Sequence, residues 1–150
     1  MTTILVVTDR YSVKRRFADA LLNSGFGVVH CAGPEPPDYS CAHEDANGVC
    51  GHAHLADAAL LDGDLAGDAM EKGPSSRATM ERYRSRDLPL VVLIGPEDVQ
   101  SWIGDQEAVV LSRKTPTHKV ISALSDVIRR HAERRSAAAE HDRFGAMAAS

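Results

Sequence analysis

The sequence has no long apolar run, no excess of basic residues and no basic leader segment. None of its 150 residues lies in a run of about eighteen apolar residues, so we expect no membrane partner and no membrane-spanning helix. The 17 Lys+Arg against 21 Asp+Glu give a net charge of −4, which argues against a nucleic-acid partner. Because the start of the chain lacks a signal peptide's features, we expect a cytoplasmic protein.

Three common motifs of α/β enzymes are also missing. The chain contains neither the G-x-S-x-G nucleophile elbow, nor a P-loop, nor the G-x-G-x-x-G dinucleotide fingerprint. We therefore expect that the protein is not an enzyme. The length suits one domain, and 43% hydrophobic with 25% charged residues is typical of a soluble globular protein.

Short apolar runs alternate with segments of helical periodicity along the chain. Runs rich in Val, Ile, Leu and Ala are typical of strands that are buried on both faces of a parallel sheet. Five such runs occur, at residues 4–7, 26–31, 58–61, 90–94 and 108–111. The alternation predicts an α/β fold with a doubly wound, five-stranded parallel sheet.

Capping residues predict where the first and last helices begin and end. Ser12 can cap a first helix, and Gly25 can end it in the left-handed conformation. Pro116 fits the first position of the last helix. Beyond about residue 135 the chain is rich in Ala and offers little to bury. We therefore predict one domain over 1–135 and a frayed or disordered tail over 136–150.

Charged residues follow three of the predicted strands. Asp9 follows the first strand, Asp62 and Asp64 follow the third, and Lys114 follows the fifth. Ligands of open α/β sheets bind at the carboxyl ends of the strands, so we expect these side chains to share one site. Carboxylates there suit Mg²⁺. A carboxylate can also accept a phosphoryl group, with a lysine paired to the phosphoryl oxygens.

The order and spacing of these segments resemble the receiver (CheY-like) domain of bacterial two-component response regulators. The resemblance covers residues 3–130 and implies a flavodoxin-like fold with the sheet order 2-1-3-4-5. The matching segments are Ile4–Asp9, Asp57–Asp62 with Gly67 five residues later, Leu88–Leu93, and Lys114 seven residues before Ile121.

The resemblance also implies a role for each residue at the acidic edge. Carried over by position, Asp62 accepts phosphate from a histidine kinase in a phosphorelay. Asp9 binds Mg²⁺, Asp64 touches the metal through its backbone carbonyl, and Lys114 pairs with the phosphoryl group. The implied function is that of an atypical single-domain response regulator.

Four positions depart from the receiver pattern. Thr8 stands in place of the first of two adjacent acids, which predicts weaker Mg²⁺ binding. Ile94 replaces the hydroxyl residue that ends strand four, and it cannot donate a hydrogen bond to a phosphoryl oxygen. Leu111 replaces the switch aromatic, and Thr115 follows Lys114 where the pattern has proline. These departures support a second interpretation, a phosphorylation-independent pseudo-receiver that serves as an interaction or sensor module, with a metal- or redox-responsive Cys/His loop as its input.

The interval 32–56 breaks the alternation and is predicted to replace or distort the second helix. It carries, in or beside it, all of the cysteines and three of the histidines: Cys31, Cys41, His43, Cys50, His52 and His54. Four of these would satisfy a tetrahedral Zn²⁺, and a bound metal would stabilise a loop that buries little apolar surface. The alternatives are a sulfur cluster, a redox-active or disulfide pair, and an inert polar loop.

The end of the chain predicts how a signal would leave the protein. The tail is too short and too poor in apolar residues for a DNA-binding module. We therefore expect output by contact with a histidine kinase or another signalling protein, and a homodimer is a second arrangement. Arg15 and Arg16 are expected on the solvent-exposed face of the first helix, and Trp102 is expected to be a packing residue.

Overall fold

The computed structural model describes residues 1–8, 10–31, 53–62, 87–95 and 108–148. These ranges contain five strands, two α-helices and one short 3-10 helix. The elements are β1 (Thr3–Val7), α1 (Tyr11–Asn23), β2 (Gly27–Cys31), the 3-10 helix (Ala53–Leu55), β3 (Ala58–Asp62), β4 (Leu90–Ile94), β5 (Ala108–Ser112) and α2 (Thr117–Ala148).

The five strands form one parallel sheet in the order β2-β1-β3-β4-β5. This order and the strand positions confirm the predicted flavodoxin-like fold. Every residue of β3 and β4 is buried, as expected of strands covered on both faces. Of the interval 32–56, which is predicted to replace or distort the second helix, residues 53–55 form the 3-10 helix and residues 32–52 lie outside the described part of the chain.

One face of the sheet packs against both α-helices. Ile4 and Val6 of β1 point to this face, whereas Leu5 and Val7 point to the opposite one, as the alternation of a strand requires. The helices bury three residues each in this layer, at helical spacing: Val13, Phe17 and Leu21 from α1, and Val120, Leu124 and Val127 from α2. This packing fixes both helices relative to the strand ends.

The first helix begins one residue before the predicted cap. It starts at Tyr11 after Arg10, which makes no side-chain capping bond, so Ser12 lies in the first turn and the predicted cap is wrong. The predicted left-handed end is confirmed, since Gly25 has φ of 89°. Its N–H donates to the carbonyl of Leu22, and the N–H of Phe26 donates to the carbonyl of Leu21, as in a Schellman motif.

The last helix starts after Pro116 and continues through the segment predicted as a frayed or disordered tail. Its first turn closes when the N–H of Val120 donates to the carbonyl of Pro116. It ends at Ala148, and every described side chain from Ala132 to Gly145 is exposed. The many alanines favour helix even without a packing partner. No helix in the described part of the chain is both long and apolar enough to cross a membrane.

Candidate functional site

The carboxyl ends of the strands bring together three side chains that lie far apart in sequence. Asp62 is the last residue of β3, Thr8 follows β1, and Arg113 follows β5. Because β1 and β3 are hydrogen-bonded neighbours with Val7 opposite Leu61, the next residues, Thr8 and Asp62, also lie side by side. The predicted edge of the sheet is thus the place where a buried acid meets polar partners.

Asp62 is a buried carboxylate, and both of its oxygens are engaged. Its side chain has no exposed surface. Arg113 donates from Nη2 to Oδ1 at 2.8 Å, and the hydroxyl of Thr8 donates to Oδ2 at 2.9 Å. Arg10 Nε lies 3.7 Å from Oδ2, within ion-pair range. A buried charge needs such partners, because desolvation without them is strongly unfavourable.

Thr8 links the sheet to this carboxylate through its hydroxyl. The residue is only 6% exposed. While its hydroxyl donates to Asp62, the same oxygen accepts the backbone N–H of Arg10 at 3.1 Å. Its own N–H donates to the carbonyl of Cys31 at the end of β2, at 2.9 Å. A second acid in this position would repel Asp62, whereas the threonine forms a hydrogen bond to it.

Arg113, one position before the predicted Lys114, supplies the cation that reaches Asp62 from the β5 side. The N–H of Arg113 donates to the carbonyl of Ile94 at 2.8 Å and extends the β4–β5 ladder by one residue. Lys114 is exposed, and its backbone N–H donates to the hydroxyl of Ser112. Arg113 is not among the predicted site residues, because the receiver pattern has a lysine after the fifth strand and Lys114 matches that pattern.

Arg16 is not on the exposed face that the sequence predicted for it. It is half-buried and reaches from α1 to the segment 113–117, which joins β5 to α2. It donates to the hydroxyl of Thr117 and to the carbonyl of Arg113, each at 2.9 Å, and also to the carbonyl of Thr115. Arg15, its neighbour, is exposed as predicted. No local pattern signals the contacts of Arg16, which span about a hundred residues of sequence.

The departures from the receiver pattern also have structural positions. Ile94 is 1% exposed at the end of β4, so an apolar side chain is buried where the pattern has a hydroxyl. Leu111 is half-buried on the face of the sheet that packs against the helices. Both positions therefore serve packing. Trp102 lies outside the described residues.

The predicted zinc ligands are only partly within the described residues. Cys31 is buried at the end of β2, and His54 is exposed in the 3-10 helix before β3. Within the described ranges no three or more His, Cys, Asp or Glu side chains form a group that could hold a metal ion. The zinc site remains a prediction, because four of its candidates lie outside those ranges: Cys41, His43, Cys50 and His52.

The described donors at the carboxyl edge fit Mg²⁺ poorly. The cation takes oxygen ligands with free lone pairs, usually carboxylates and water. Here the cationic guanidinium of Arg113 lies against one oxygen of Asp62 and would repel a metal cation there, while Thr8 directs its hydroxyl proton at the other oxygen. Asp9 and Asp64, the other candidates, lie outside the described residues, so their magnesium role remains a prediction.

Comparisons with known proteins give matches of structure only. No family model matches the sequence, and no curated protein matches it either. A response regulator receiver domain from Clostridium thermocellum superposes with a TM-score of 0.63, over 87% of this chain and 96% of that one, at 15% identity.

Two further structures show the same architecture. A putative response regulator from Chloroflexus aurantiacus J-10-fl has a TM-score of 0.62 at 18% identity, over 85% of this chain and 98% of that one. The structure of adenylate cyclase from Rhodopirellula baltica has a TM-score of 0.67 at 15% identity, over 95% and 98% of the two chains. At such identities the likeness concerns the fold: the chain is built as the receiver domains of response regulators are.

Proposed function

We propose that the protein is a receiver-fold signalling module that acts through protein–protein contact, with no catalytic step of its own. In this proposal Asp62 is locked in an ion pair and is not a phosphoacceptor. The observation that carries the proposal is that the side chain of Asp62 has no exposed surface while Arg113 and Thr8 bond its two oxygens. A nucleophilic carboxylate must instead present an oxygen to the phosphoryl donor.

The charge balance at Asp62 supports the same conclusion. Arg113 is a permanent cation, so it compensates the buried carboxylate without a bound metal or a modification. The hydroxyl position of the receiver pattern holds Ile94, which is buried and offers no donor to a phosphoryl oxygen. Among the described residues, both oxygens of Asp62 thus have hydrogen-bond partners, as expected of an element that stabilises one conformation.

A link to the Cys/His interval supports a sensing input for this module. The interval follows Cys31, whose carbonyl accepts the N–H of Thr8, and Thr8 in turn bonds Asp62. A change of metal or thiol state at Cys31 would therefore act two hydrogen bonds away from the carboxylate. The partner of the proposed signalling module would be a histidine kinase or another signalling protein, or a second copy of the chain.

The second candidate function is phosphoacceptance, which the position of Asp62 at the carboxyl end of β3 favours. In that case an oxygen of Asp62 bonds to phosphorus while the bond from phosphorus to the donor breaks. Arg113 and Thr8 would first have to release the carboxylate. Asp9 and Asp64 would then hold Mg²⁺, and Lys114 would pair with the phosphoryl group.

Chemical phosphorylation separates the two candidates. We expect that acetyl phosphate with Mg²⁺ adds no phosphoryl group to Asp62 when the intact chain and its peptides are analysed by mass spectrometry. Asp62→Asn is the specific control, and Asp57→Asn, at an exposed carboxylate before β3, is the matched one. A phosphoryl mass that disappears only in Asp62→Asn would overturn the proposal in favour of phosphoacceptance.

A further inference from the structure

Arg16 ties α1 to the segment that carries Arg113. Its guanidinium donates to Thr117 Oγ1 from Nε, to the carbonyl of Arg113 from Nη1, and to the carbonyl of Thr115 from Nη2. Two of these acceptors are backbone carbonyls, so Arg16 restrains the backbone of this segment and not only its side chains. The segment between β5 and α2 is therefore fixed from outside by one side chain.

We propose that Arg16 is the positioning residue for the ion pair between Arg113 and Asp62. Arg16 bonds the carbonyl of Arg113, while the N–H of Arg113 is bonded to Ile94. With its backbone fixed on both sides, Arg113 has its guanidinium placed 2.8 Å from Asp62 Oδ1. Arg16 thus acts on Asp62 through Arg113 and makes no contact with Asp62 itself among the bonds described here.

The chemistry of this position requires an arginine. A planar guanidinium presents its donors in a rigid fork, whereas a lysine ammonium is a single point charge on a flexible stem. The guanidinium of Arg16 also lies over the ring of Phe17, 4.6 Å from the ring centroid. Phe17 has no exposed surface, so the ring is a fixed platform for the arginine.

This inference rests on the proposed function, in which the ion pair of Asp62 and Arg113 holds the carboxyl edge of the sheet in one conformation. We call this ion pair the lock. If Arg16 holds Arg113 in place, displacement of Arg16 allows the guanidinium of Arg113 to move away from Asp62, while Arg10 stays 3.7 Å from the other carboxylate oxygen. A change at the α1 side of the molecule would then reach the carboxyl edge of the sheet. This gives α1 a regulatory role that its core-packing residues alone do not have.

A double-mutant cycle between Arg16→Met and Asp62→Asn tests the inference. The quantity to compare is the factor by which Asp62→Asn raises the unfolding equilibrium constant in urea, measured first with Arg16 present. We expect that factor to shrink by about fivefold or more in the Arg16→Met background, because residues coupled through a shared partner are not additive. Arg15→Met, one residue away and exposed, should leave the factor within about twofold. Additivity within about twofold for Arg16→Met would overturn the inference.

Amide hydrogen exchange gives a second readout, which loss of global stability alone does not reproduce. In Arg16→Lys, the exchange rates of Arg113 and Thr115 should rise more than tenfold, while the amide of Leu5 in central β1 keeps its rate relative to global unfolding. Uniform acceleration of all three amides would contradict a positioning role. Neither experiment reads phosphoryl chemistry, so the two failures are distinguishable: labelling of Asp62 by acetyl phosphate would defeat the proposed function, whereas additivity in the double-mutant cycle would defeat the positioning role of Arg16 alone.

Discussion

Two regions of the molecule each contain an ion pair between an arginine and an acidic residue, but the two pairs differ in burial and in sequence separation. At the carboxyl edge, Asp62 and Arg113 are 51 residues apart in sequence, with side-chain exposures of 0% and 21%. On the outer part of α2, Arg129 and Glu133 are four residues apart, and each side chain is 62% exposed. The first pair joins separate strands inside the protein, and the second lies along one helix in solvent.

The difference shows that burial decides how much a charge pair contributes. Removing one partner of a buried pair leaves an uncompensated charge and destabilises a protein by about 3–5 kcal/mol. An exposed pair along a helix is worth only about 0.3–0.5 kcal/mol, because water and salt screen it. The net charge of −4 says nothing about which charges matter.

Removal of Arg113, the half-buried cation that bonds the buried carboxylate, should give the largest effect. Arg113→Met leaves Asp62 charged and buried without its guanidinium, so we expect a loss of about 3 kcal/mol in the free energy of unfolding, measured in urea. The double variant Asp62→Leu with Arg113→Met should recover most of that loss, since it removes both charges together. A double variant as unstable as Arg113→Met alone would show that the pair is not what stabilises this edge.

Loss of the threonine hydroxyl should have the next largest effect. Thr8→Val keeps the shape of the side chain but removes the donor to Asp62 and the acceptor for the N–H of Arg10. We expect a loss of about 1–3 kcal/mol, because buried polar groups are left without partners. Thr8→Ser retains the hydroxyl and serves as the control. Equal losses in the two variants would mean that the methyl group, and not the hydroxyl, is responsible.

For His30 on β2 we expect an effect on stability of intermediate size, seen as a weak dependence on pH. Burial, and to a lesser degree the nearby charge of Lys14, lower the pKa of His30 below its ordinary value of 6.5. The unfolded chain therefore binds the proton more readily, and stability falls as the pH is lowered from about 6.5 towards the folded pKa.

The variant His30→Gln removes this contribution. The difference in unfolding free energy between pH 7.5 and pH 5.5, two conditions about one unit either side of the ordinary pKa, should be smaller in His30→Gln than in the wild type. His118→Gln, at an exposed histidine on α2, is the matched control for the loss of a histidine side chain. A larger difference in His30→Gln would mean that the sign of the effect is reversed.

The exposed pair on α2 should give the smallest effect. Glu133→Gln removes the ion pair with Arg129, and we expect a loss of no more than about 0.5 kcal/mol at low salt. The loss should vanish in about 1 M salt, where the Debye length is about 3 Å. A loss comparable with that of Arg113→Met would contradict the comparison between the two regions.

The sheet could be predicted from the sequence because each strand is a nearly continuous apolar run. Asp62 could be predicted as well, since it directly follows such a run and the carboxyl ends of parallel strands meet at one edge. The bonds of Arg16 and Arg113 could not be predicted. They join segments that are separated by 51 to 101 residues, and such contacts leave no periodic trace in the sequence.

The end of α2 depends on helix propensity rather than on packing. The expectation of a frayed or disordered tail after residue 135 came from the lack of apolar residues to bury. Helix continues to Ala148 because alanine and arginine favour helix intrinsically, and the exposed ion pair at Arg129 adds local support. Helical structure in this segment therefore comes from propensity rather than from packing, and the predicted fraying stays a prediction.

In the proposed function, the ion pair of Asp62 and Arg113 holds the carboxyl edge of the sheet in one conformation. Thermal unfolding with and without beryllofluoride and Mg²⁺, which together mimic a phosphorylated carboxylate, tests it most directly. If the pair holds Asp62, the melting temperature of the wild type should be the same with and without beryllofluoride and Mg²⁺. A rise in melting temperature that Asp62→Asn abolishes would overturn the proposed function and favour phosphoacceptance by Asp62.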